Sequence, residues 1–84
     1  MIEIENNYRI FPNPAQNELL IQNDFEPVQG NTKISIYNLY GSKVLEYSPS
    51  QGSKLIKLNI SDLPASIYFC NFNSRISKRF VIVR

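Results

Sequence analysis

Short segments in which apolar and polar residues alternate recur along the whole chain, and this pattern restricts the fold more than any other feature. In residues 56–60 every second residue is isoleucine or leucine, with lysine and asparagine between them, which is the period of a strand with one buried face. Residues 33–39 repeat the pattern around Ile34 and Ile36. Five further segments, rich in aromatic or β-branched residues, complete a set of seven predicted strands: residues 8–11, 18–22, 43–47, 67–72 and 79–83.

Turn-forming residues separate the predicted strands. Gly30, Gly41 and Gly52 fall between neighbouring segments, and glycine favours tight turns. Residues 60–65 begin like a helix but meet Pro64 within one turn, which leaves room only for a loop or a single 3₁₀ turn. Strands at intervals of about ten residues, with no helix between them, predict an all-β protein: an Ig-like antiparallel β-sandwich of about seven strands.

The length allows one domain at most. A chain of 84 residues has a thin core, because a domain of that size buries only about 60–65% of the surface that its unfolded chain exposes. We expect residues 11–84 to form the domain and residues 1–10 to be a lead-in segment or the remnant of a linker. Residues 1–4 lack the basic and apolar regions of a secretory signal, so we expect either a cytoplasmic protein or a piece of a longer precursor.

The charges are distributed unevenly along the chain. Before residue 31 the acidic residues Glu3, Glu5, Glu18, Asp24 and Glu26 stand against Arg9 alone, whereas the chain after Leu63 carries Arg75, Lys78, Arg79 and Arg84 and no acid. Two interpretations follow: paired strands attract one another across solvated faces, or the basic end is a recognised tail. A net charge of +2 without a clustered basic face argues against nucleic acid as a partner.

The composition offers little for catalysis. The chain contains no histidine, so it has neither a Ser-His-Asp arrangement nor an imidazole metal ligand. No glycine-rich loop precedes a helix, which leaves no phosphate-binding motif. We therefore expect a protein that is not an enzyme and holds no cofactor or metal. Asp24 and Glu26 could reach a calcium ion with neighbouring carbonyls, but no ligand spacing supports this.

Cys70 is the only cysteine, which excludes an intramolecular disulfide. It lies two residues after Tyr68, as in the F strand of immunoglobulin domains, where the tyrosine hydroxyl bonds backbone at a corner. We expect Tyr68, Cys70 and Phe72 to face the core, and Tyr68 to form such a corner. Because no histidine can activate its thiolate, we interpret Cys70 as a small buried apolar residue rather than a nucleophile.

Two prolines flank one asparagine at Pro12, Asn13 and Pro14. Each proline fixes its own φ at about −65° and forces the preceding residue out of the α region. Phe11 and Asn13 are therefore expected to be extended. Because proline cannot donate to a sheet ladder, this segment, called the proline motif below (residues 11–14), is expected on a sheet edge or in a bend. The Asn13 side chain is then available to bond nearby backbone.

A second candidate surface consists of aromatic and basic residues. Tyr37, Tyr40 and Tyr47 lie close in sequence to Lys33 and Lys43, and an exposed face of this kind can stack against sugars or bases. Tyrosines in strands also simply cover a sheet face. Two alternative functions follow: an autonomous Ig-like adhesion or carbohydrate-binding module, and a structural stalk domain.

Four sequence pieces follow one another in a fixed order: FPNPA with ELLI in residues 11–21, ISIYNLYGSKVLE in residues 34–46, NISDLPASIYF in residues 59–69, and KRFVIVR in residues 78–84. Their order and spacing resemble the C-terminal sorting domain, type A, of proteins exported by the type 9 secretion system of Bacteroidetes. The resemblance spans nearly the whole chain. The positions that it carries over are Pro12, Asn13 and Pro14 in the motif, Gly41 and Val44 in a hairpin, Leu63 and Tyr68 at the corner, and Lys78, Phe80 and Val81 in the terminal strand.

The resemblance implies an Ig-like sandwich that is the last domain of a cargo protein and serves as its export address. It implies recognition by the secretion translocon after the cargo reaches the periplasm, and removal by a sortase-like peptidase. The cargo is then expected at the outer membrane surface or outside the cell. The family usually has glycine where this chain has Ser66, which implies either a strained positive φ at Ser66 or a different local turn.

These considerations predict that an uncapped basic last strand, residues 79–83, pairs with a partner by strand addition. Lys78 and Arg84 are expected to be the charged flanks of this strand. The residues expected to contact the secretion machinery are Pro12, Asn13, Pro14, Gly41, Lys78, Arg79, Phe80, Val81 and Arg84, and those expected to be structural are Val44, Leu63, Tyr68 and Cys70. Open sheet edges also predict self-association through edge strands.

Overall fold

The computed structural model of the protein describes residues 8–23, 32–73 and 77–84, and these form seven strands. The strands are β1 (Tyr8–Phe11), β2 (Glu18–Asn23), β3 (Ile34–Tyr37), β4 (Lys43–Tyr47), β5 (Leu55–Asn59), β6 (Ser66–Phe72) and β7 (Ser77–Ile82). Each overlaps one of the strands predicted from the sequence. The described residues include no helix that is long and apolar enough to cross a membrane.

The strands form two sheets. One sheet has three strands in the order β1-β2-β5, and the other has four in the order β4-β3-β6-β7. All neighbouring strands are antiparallel. The chain crosses between the sheets after β2, returns for β5 and crosses again before β6, as expected for strands that enclose one core. The predicted all-β fold, an antiparallel β-sandwich, is therefore confirmed.

The core consists of the side chains that face inward from both sheets. They alternate with outward residues along each strand because successive side chains point to opposite faces. The buried set is Tyr8, Ala15, Leu19, Ile21, Ile34, Ile36, Ile56, Leu58, Ile60, Tyr68, Cys70, Phe72, Phe80 and Ile82. The prediction that Tyr68, Cys70 and Phe72 face inward is confirmed.

A tyrosine corner closes the loop before β6. The Tyr68 hydroxyl donates a 2.7 Å hydrogen bond to the carbonyl oxygen of Pro64, as the sequence predicts. Its ring stacks on that of Phe80, with 5.8 Å between the centroids. The loop itself contains a single turn, in which the N–H of Leu63 donates to the carbonyl of Ile60 at 3.1 Å. The expectation of a turn rather than a helix in residues 60–65 is confirmed.

Tyr8 joins the two sheets. Its side chain is buried, its ring stacks on Phe72 with 5.2 Å between the centroids, and its hydroxyl donates a 2.7 Å hydrogen bond to the carbonyl of Cys70 in the opposite sheet. The boundary expected between residues 10 and 11 falls inside β1. The sandwich already includes Tyr8, and the division of the chain into a domain and a lead-in segment stays a prediction.

Burial suppresses the ionisation of two groups in this core. The side chain of Cys70 is fully buried, and burial raises the pKa of its thiol to about 12. Burial also raises the pKa of the neighbouring Tyr8 hydroxyl. Both groups therefore hold their protons well above neutral pH, which supports the interpretation of Cys70 as a structural residue without nucleophilic reactivity.

We predict that the free energy of unfolding falls as the pH rises from about 9 to about 12. In the unfolded chain the Cys70 thiol ionises near its ordinary pKa of 9.0, whereas the folded protein retains the proton up to about pH 12. The unfolded state therefore binds fewer protons in this range, and stability decreases by at most about 1.4 kcal/mol per pH unit for each such group. Below pH 9 the contribution is constant. Urea unfolding at a series of pH values measures the slope.

The matched control is Cys70→Ala, which lacks the titrating thiol. Its overall stability is expected to be lower because a buried atom is lost, but its decline with pH should be shallower than that of the original protein. Equal slopes for the two proteins would show that the buried thiol does not contribute.

Candidate functional site

The proline motif connects the edge of the three-stranded sheet to the edge of β7. Phe11 ends β1, and the following residues Pro12, Asn13 and Pro14 are exposed. The peptide bonds Phe11-Pro12 and Asn13-Pro14 are both cis. The sequence placed this segment on an edge or in a bend, and the structure confirms that placement.

Residues 13–15 cover the outer edge of β7. The N–H of Val81 donates to Oδ1 of Asn13 at 3.0 Å, and Nδ2 of Asn13 donates to the carbonyl of Arg79 at 3.4 Å. Ala15 continues as a parallel bridge, in which its N–H donates to the carbonyl of Val81 at 2.8 Å and its carbonyl accepts from the N–H of Val83 at 2.9 Å. The prediction of an uncapped last strand is therefore wrong, because the carbonyl of Arg79, both backbone groups of Val81 and the N–H of Val83 already pair with residues 13–15.

Arg84 binds loops of its own domain. Its guanidinium donates to the carbonyls of Ile60 at 2.8 Å and Leu63 at 2.6 Å, to Oδ1 of Asn17 at 3.1 Å, and to the carbonyl of Gln16. A planar guanidinium with several N–H groups can bridge acceptors in this way. The sequence predicted that Arg84 flanks a partner-binding strand, but its side chain instead joins the segment after the proline motif to the loop before β6.

The other terminal-strand residues lie on different sides of β7. Phe80 is fully buried against Tyr68, so its side chain packs in the core, and its contact with a partner stays a prediction. Lys78 is half-buried, with its Nζ 5.4 Å from the centroid of the Tyr8 ring. Arg79 is exposed and Val81 is half-buried; both face away from the core because they alternate with Phe80. Of the predicted contact residues in β7, Arg79 offers the most accessible side chain.

The β3–β4 hairpin is organised by Asn38, a residue that the sequence analysis did not single out. Oδ1 of Asn38 accepts hydrogen bonds from the N–H groups of Tyr40 at 2.9 Å and Ser42 at 3.0 Å. Gly41 has a φ of +82°, a conformation that glycine adopts without strain. The signal that could have identified Asn38 is its position two residues before a tyrosine-glycine turn, since asparagine side chains commonly bond backbone two residues on.

Two further predictions concern single positions. Val44 lies in β4 as expected but is 37% exposed, whereas its neighbour Leu45 packs against the core. Ser66 is the first residue of β6 and pairs with Ile82. Among the described residues only Asn73 is a non-glycine residue with positive φ, so Ser66 carries no such strain. Of the two possibilities that the family's glycine raised, the strained positive φ is absent at Ser66.

The charged residues on the outer face of the four-stranded sheet pair with one another. Nζ of Lys33 lies 3.0 Å and Nζ of Lys43 lies 2.8 Å from the carboxylate of Glu46. Hydrogen bonds from Lys43 and Lys33 lower the pKa of that carboxylate. These ion pairs lie in the middle of the chain, so the two interpretations of its acidic first part and basic last part stay predictions.

The three tyrosines of the alternative binding surface do not form one platform. Tyr37 lies opposite Lys43 on the outer face, whereas Tyr47 lies opposite the buried Ile34 and thus on the inner face. Tyr40 is 92% exposed in the hairpin turn. A stacking surface needs rings that face the same ligand, and these rings point in different directions.

No described residues form a group of three or more side chains that could hold a metal ion. The acidic pair Asp24 and Glu26, considered for calcium, lies outside the described residues.

We predict that Asn13→Ala lowers the free energy of unfolding by about 1–2 kcal/mol, because it removes two hydrogen bonds from the edge of β7. Asn13→Asp keeps the acceptor for the N–H of Val81 and should lose less. Equilibrium urea unfolding measures both effects. Gln51→Ala, at an exposed turn position, serves as the control and should be nearly neutral; a loss at Gln51 equal to that at Asn13 would contradict the role given to Asn13.

We predict that Arg84→Lys also destabilises the domain, by about 1–2 kcal/mol, because one ammonium cannot reach the separate acceptors that the guanidinium bridges. The matched control is Arg79→Lys, the same substitution at an exposed residue, for which we expect a change within about 0.5 kcal/mol. Thermal or urea unfolding of the two variants compares them directly, and equal effects would exclude a special role for the Arg84 guanidinium.

Comparison with known proteins agrees with this architecture. Residues 9–83 match the family described as secretion system C-terminal sorting domain. No curated protein and no solved structure matches the chain. The family match begins within β1 and continues past β7, so it includes both segments that meet at the edge of β7. The chain therefore belongs to the family of secretion system C-terminal sorting domains.

Proposed function

We propose that this domain is the sorting signal that directs a fused cargo protein through the type 9 secretion system of a Bacteroidetes bacterium. The observation that carries the proposal is the family match over residues 9–83. Domains of this family are sorting signals of exported proteins, so the protein that contains this one is exported. The type 9 route is the finer part of the proposal, and the order of the sequence pieces supports it.

The fold suits a sorting signal that must keep the same structure when it is fused to unrelated cargo proteins. A signal of this kind must keep its shape whatever domain precedes it, which requires that its own contacts fix its ends. Tyr8 anchors the first strand in the core through Cys70. Asn13 and Ala15 close the edge of the last strand, and Arg84 binds the loops beside it. These contacts support a domain that folds independently of its cargo.

The proposed partners are the translocon, which reads the domain after the cargo reaches the periplasm, and a sortase-like peptidase, which separates the domain from the cargo. The cargo then remains at the outer membrane surface or is released outside the cell. The exposed side chains of Pro12, Pro14 and Arg79, together with the Gly41 turn, are the proposed contacts. Phe80, which is fully buried, is left out of the proposed set.

The domain is proposed to act by binding alone. The absence of histidine, the most frequent acid–base group of enzymes, from the sequence and the high pKa of the buried Cys70 thiol support this proposal. The alternative, an adhesion or carbohydrate-binding module, finds no support in the tyrosines, which face different directions.

We predict that a folded reporter fused ahead of residues 1–84 is exported by a bacterium with an intact type 9 system and is retained in the periplasm of a strain without the translocon. The reporter carries its own signal for entry into the periplasm, and the measurement is the amount of reporter on the cell surface and in the medium. The reporter without the domain is the control. Retention in both strains, with the fusion intact and folded, would contradict the sorting function and favour a binding module.

A further inference from the structure

A groove of about 920 Å³ opens beside the proline motif on the outer face of the three-stranded sheet. It is lined by residues of the proline motif, the beginning of β2, the end of β5 and Val83, which follows β7. These segments lie far apart in the sequence and meet only in the folded sandwich. The groove, called the proline groove below, is therefore a surface that only the folded domain presents.

The floor of the proline groove is apolar and rigid. Pro12, Pro14, Leu20 and Val83 line it. Leu20 points outward because its neighbours in β2 face the core, and Val83 is 39% exposed. Proline rings have little conformational freedom to lose on binding. An apolar side chain laid on this floor removes hydrophobic surface from water at a small entropic cost.

Polar groups of the groove are oriented by contacts within the domain. Oδ1 of Asn59 accepts hydrogen bonds from the N–H of Ser61 at 2.9 Å and from its hydroxyl at 2.7 Å. These bonds hold the amide through its oxygen, which leaves its nitrogen as the group that can donate to a ligand. An amide nitrogen of this kind suits a peptide carbonyl.

Glu18 gives the groove its charge. Among the residues that the structure describes, it is the one ionisable residue that lines the groove, and it makes no ion pair with any of them. Lys57 lies opposite Leu20 in β5 but does not line the groove. Lysines 33 and 43, which form ion pairs, do so with Glu46 on the other sheet. An unpaired carboxylate beside an apolar floor is complementary to a cationic side chain next to an apolar one.

We propose that the proline groove binds an extended peptide segment of the secretion machinery, with an apolar side chain on the proline floor and a lysine or arginine beside Glu18. This inference rests on the proposed sorting function and names the surface that serves it. A peptide fits better than a sugar, because no aromatic ring of residues 8–23, 32–73 or 77–84 lines the groove and sugar sites stack on aromatic rings. An open groove of this volume also accommodates a chain that passes through it.

The position of the groove explains how the proline motif serves two surfaces. Asn13 turns toward β7 and covers its edge, while Pro12 and Pro14 on either side line the groove. The edge of β7 is therefore closed by the same segment that forms the wall of the binding surface. A partner that reads this surface contacts the side chains of the motif rather than the backbone of the last strand.

The test uses the reporter fusion in the strain with an intact type 9 system. Glu18→Lys places a cation where the partner's cation binds and should lower export by about tenfold or more, and Glu18→Gln should lower it less. Glu18→Asp keeps the negative charge, and the fusion that carries it should retain most of the export. Leu20→Ser removes part of the apolar floor and should also lower the amount of exported reporter.

Two controls match these substitutions. Asp62→Lys makes the same change of charge at an exposed carboxylate that does not line the groove, and Leu55→Ser changes an outward leucine of the same sheet that is 57% exposed and also lies outside the groove. Both should export like the unmodified fusion. Thermal unfolding of each purified domain tests whether the variant remains folded. If Leu20→Ser is unfolded, the export of Glu18→Lys alone tests the groove.

Three results would overturn the inference. Export of folded Glu18→Lys at the level of the unmodified fusion would exclude the groove while leaving the sorting function intact, and so would equal losses in Glu18→Lys and Asp62→Lys. Failure of the unmodified fusion to be exported would remove the sorting function, and the inference with it.

Discussion

The closure of β7 by residues 13–15 is the interaction on which the rest of the structure depends. An edge strand presents unpaired N–H and C=O groups that can pair with any other strand. Pro12 and Pro14 cannot donate from their own backbone, so the side chain of Asn13 supplies both a donor and an acceptor to β7. Ala15 then adds two backbone hydrogen bonds. The proline motif cannot form a regular strand, but it covers the edge of the four-stranded sheet.

This closure joins the beginning of the domain to its end. Residues 13–15 and 79–83 are distant in sequence, and Arg84 reinforces their association by bonding to Asn17 and to the loop that includes Leu63. Tyr8 adds a contact across the core. Contacts of such large sequence separation form only when both sheets have assembled. The two segments that frame the domain are consequently ordered by the same event.

The strands could be predicted because one face of each sheet is buried, and burial imposes alternation. Phe80 was also predictable from this rule, since it alternates with Ile82 and both are buried; assigning it to a partner disregarded the pattern. Arg84 could not be predicted, because its main acceptors are backbone carbonyls, which every residue has and no sequence pattern marks. The same holds for the role of Asn13, since its partners lie in a strand whose position depends on the whole fold.

The proposed binding at the proline groove makes recognition depend on the folded domain. A linear signal would be read equally well in an unfolded chain, but Pro14, Glu18, Asn59 and Val83 are neighbours only after both ends of the domain have met. In the proposed function, secretion machinery that binds this surface binds only the folded domain, because the unfolded chain does not present it. The closed edge of β7 contributes to the same selectivity, because it withholds the backbone groups through which unrelated strands would otherwise pair. Specificity then depends on side chains that the completed sandwich holds in place.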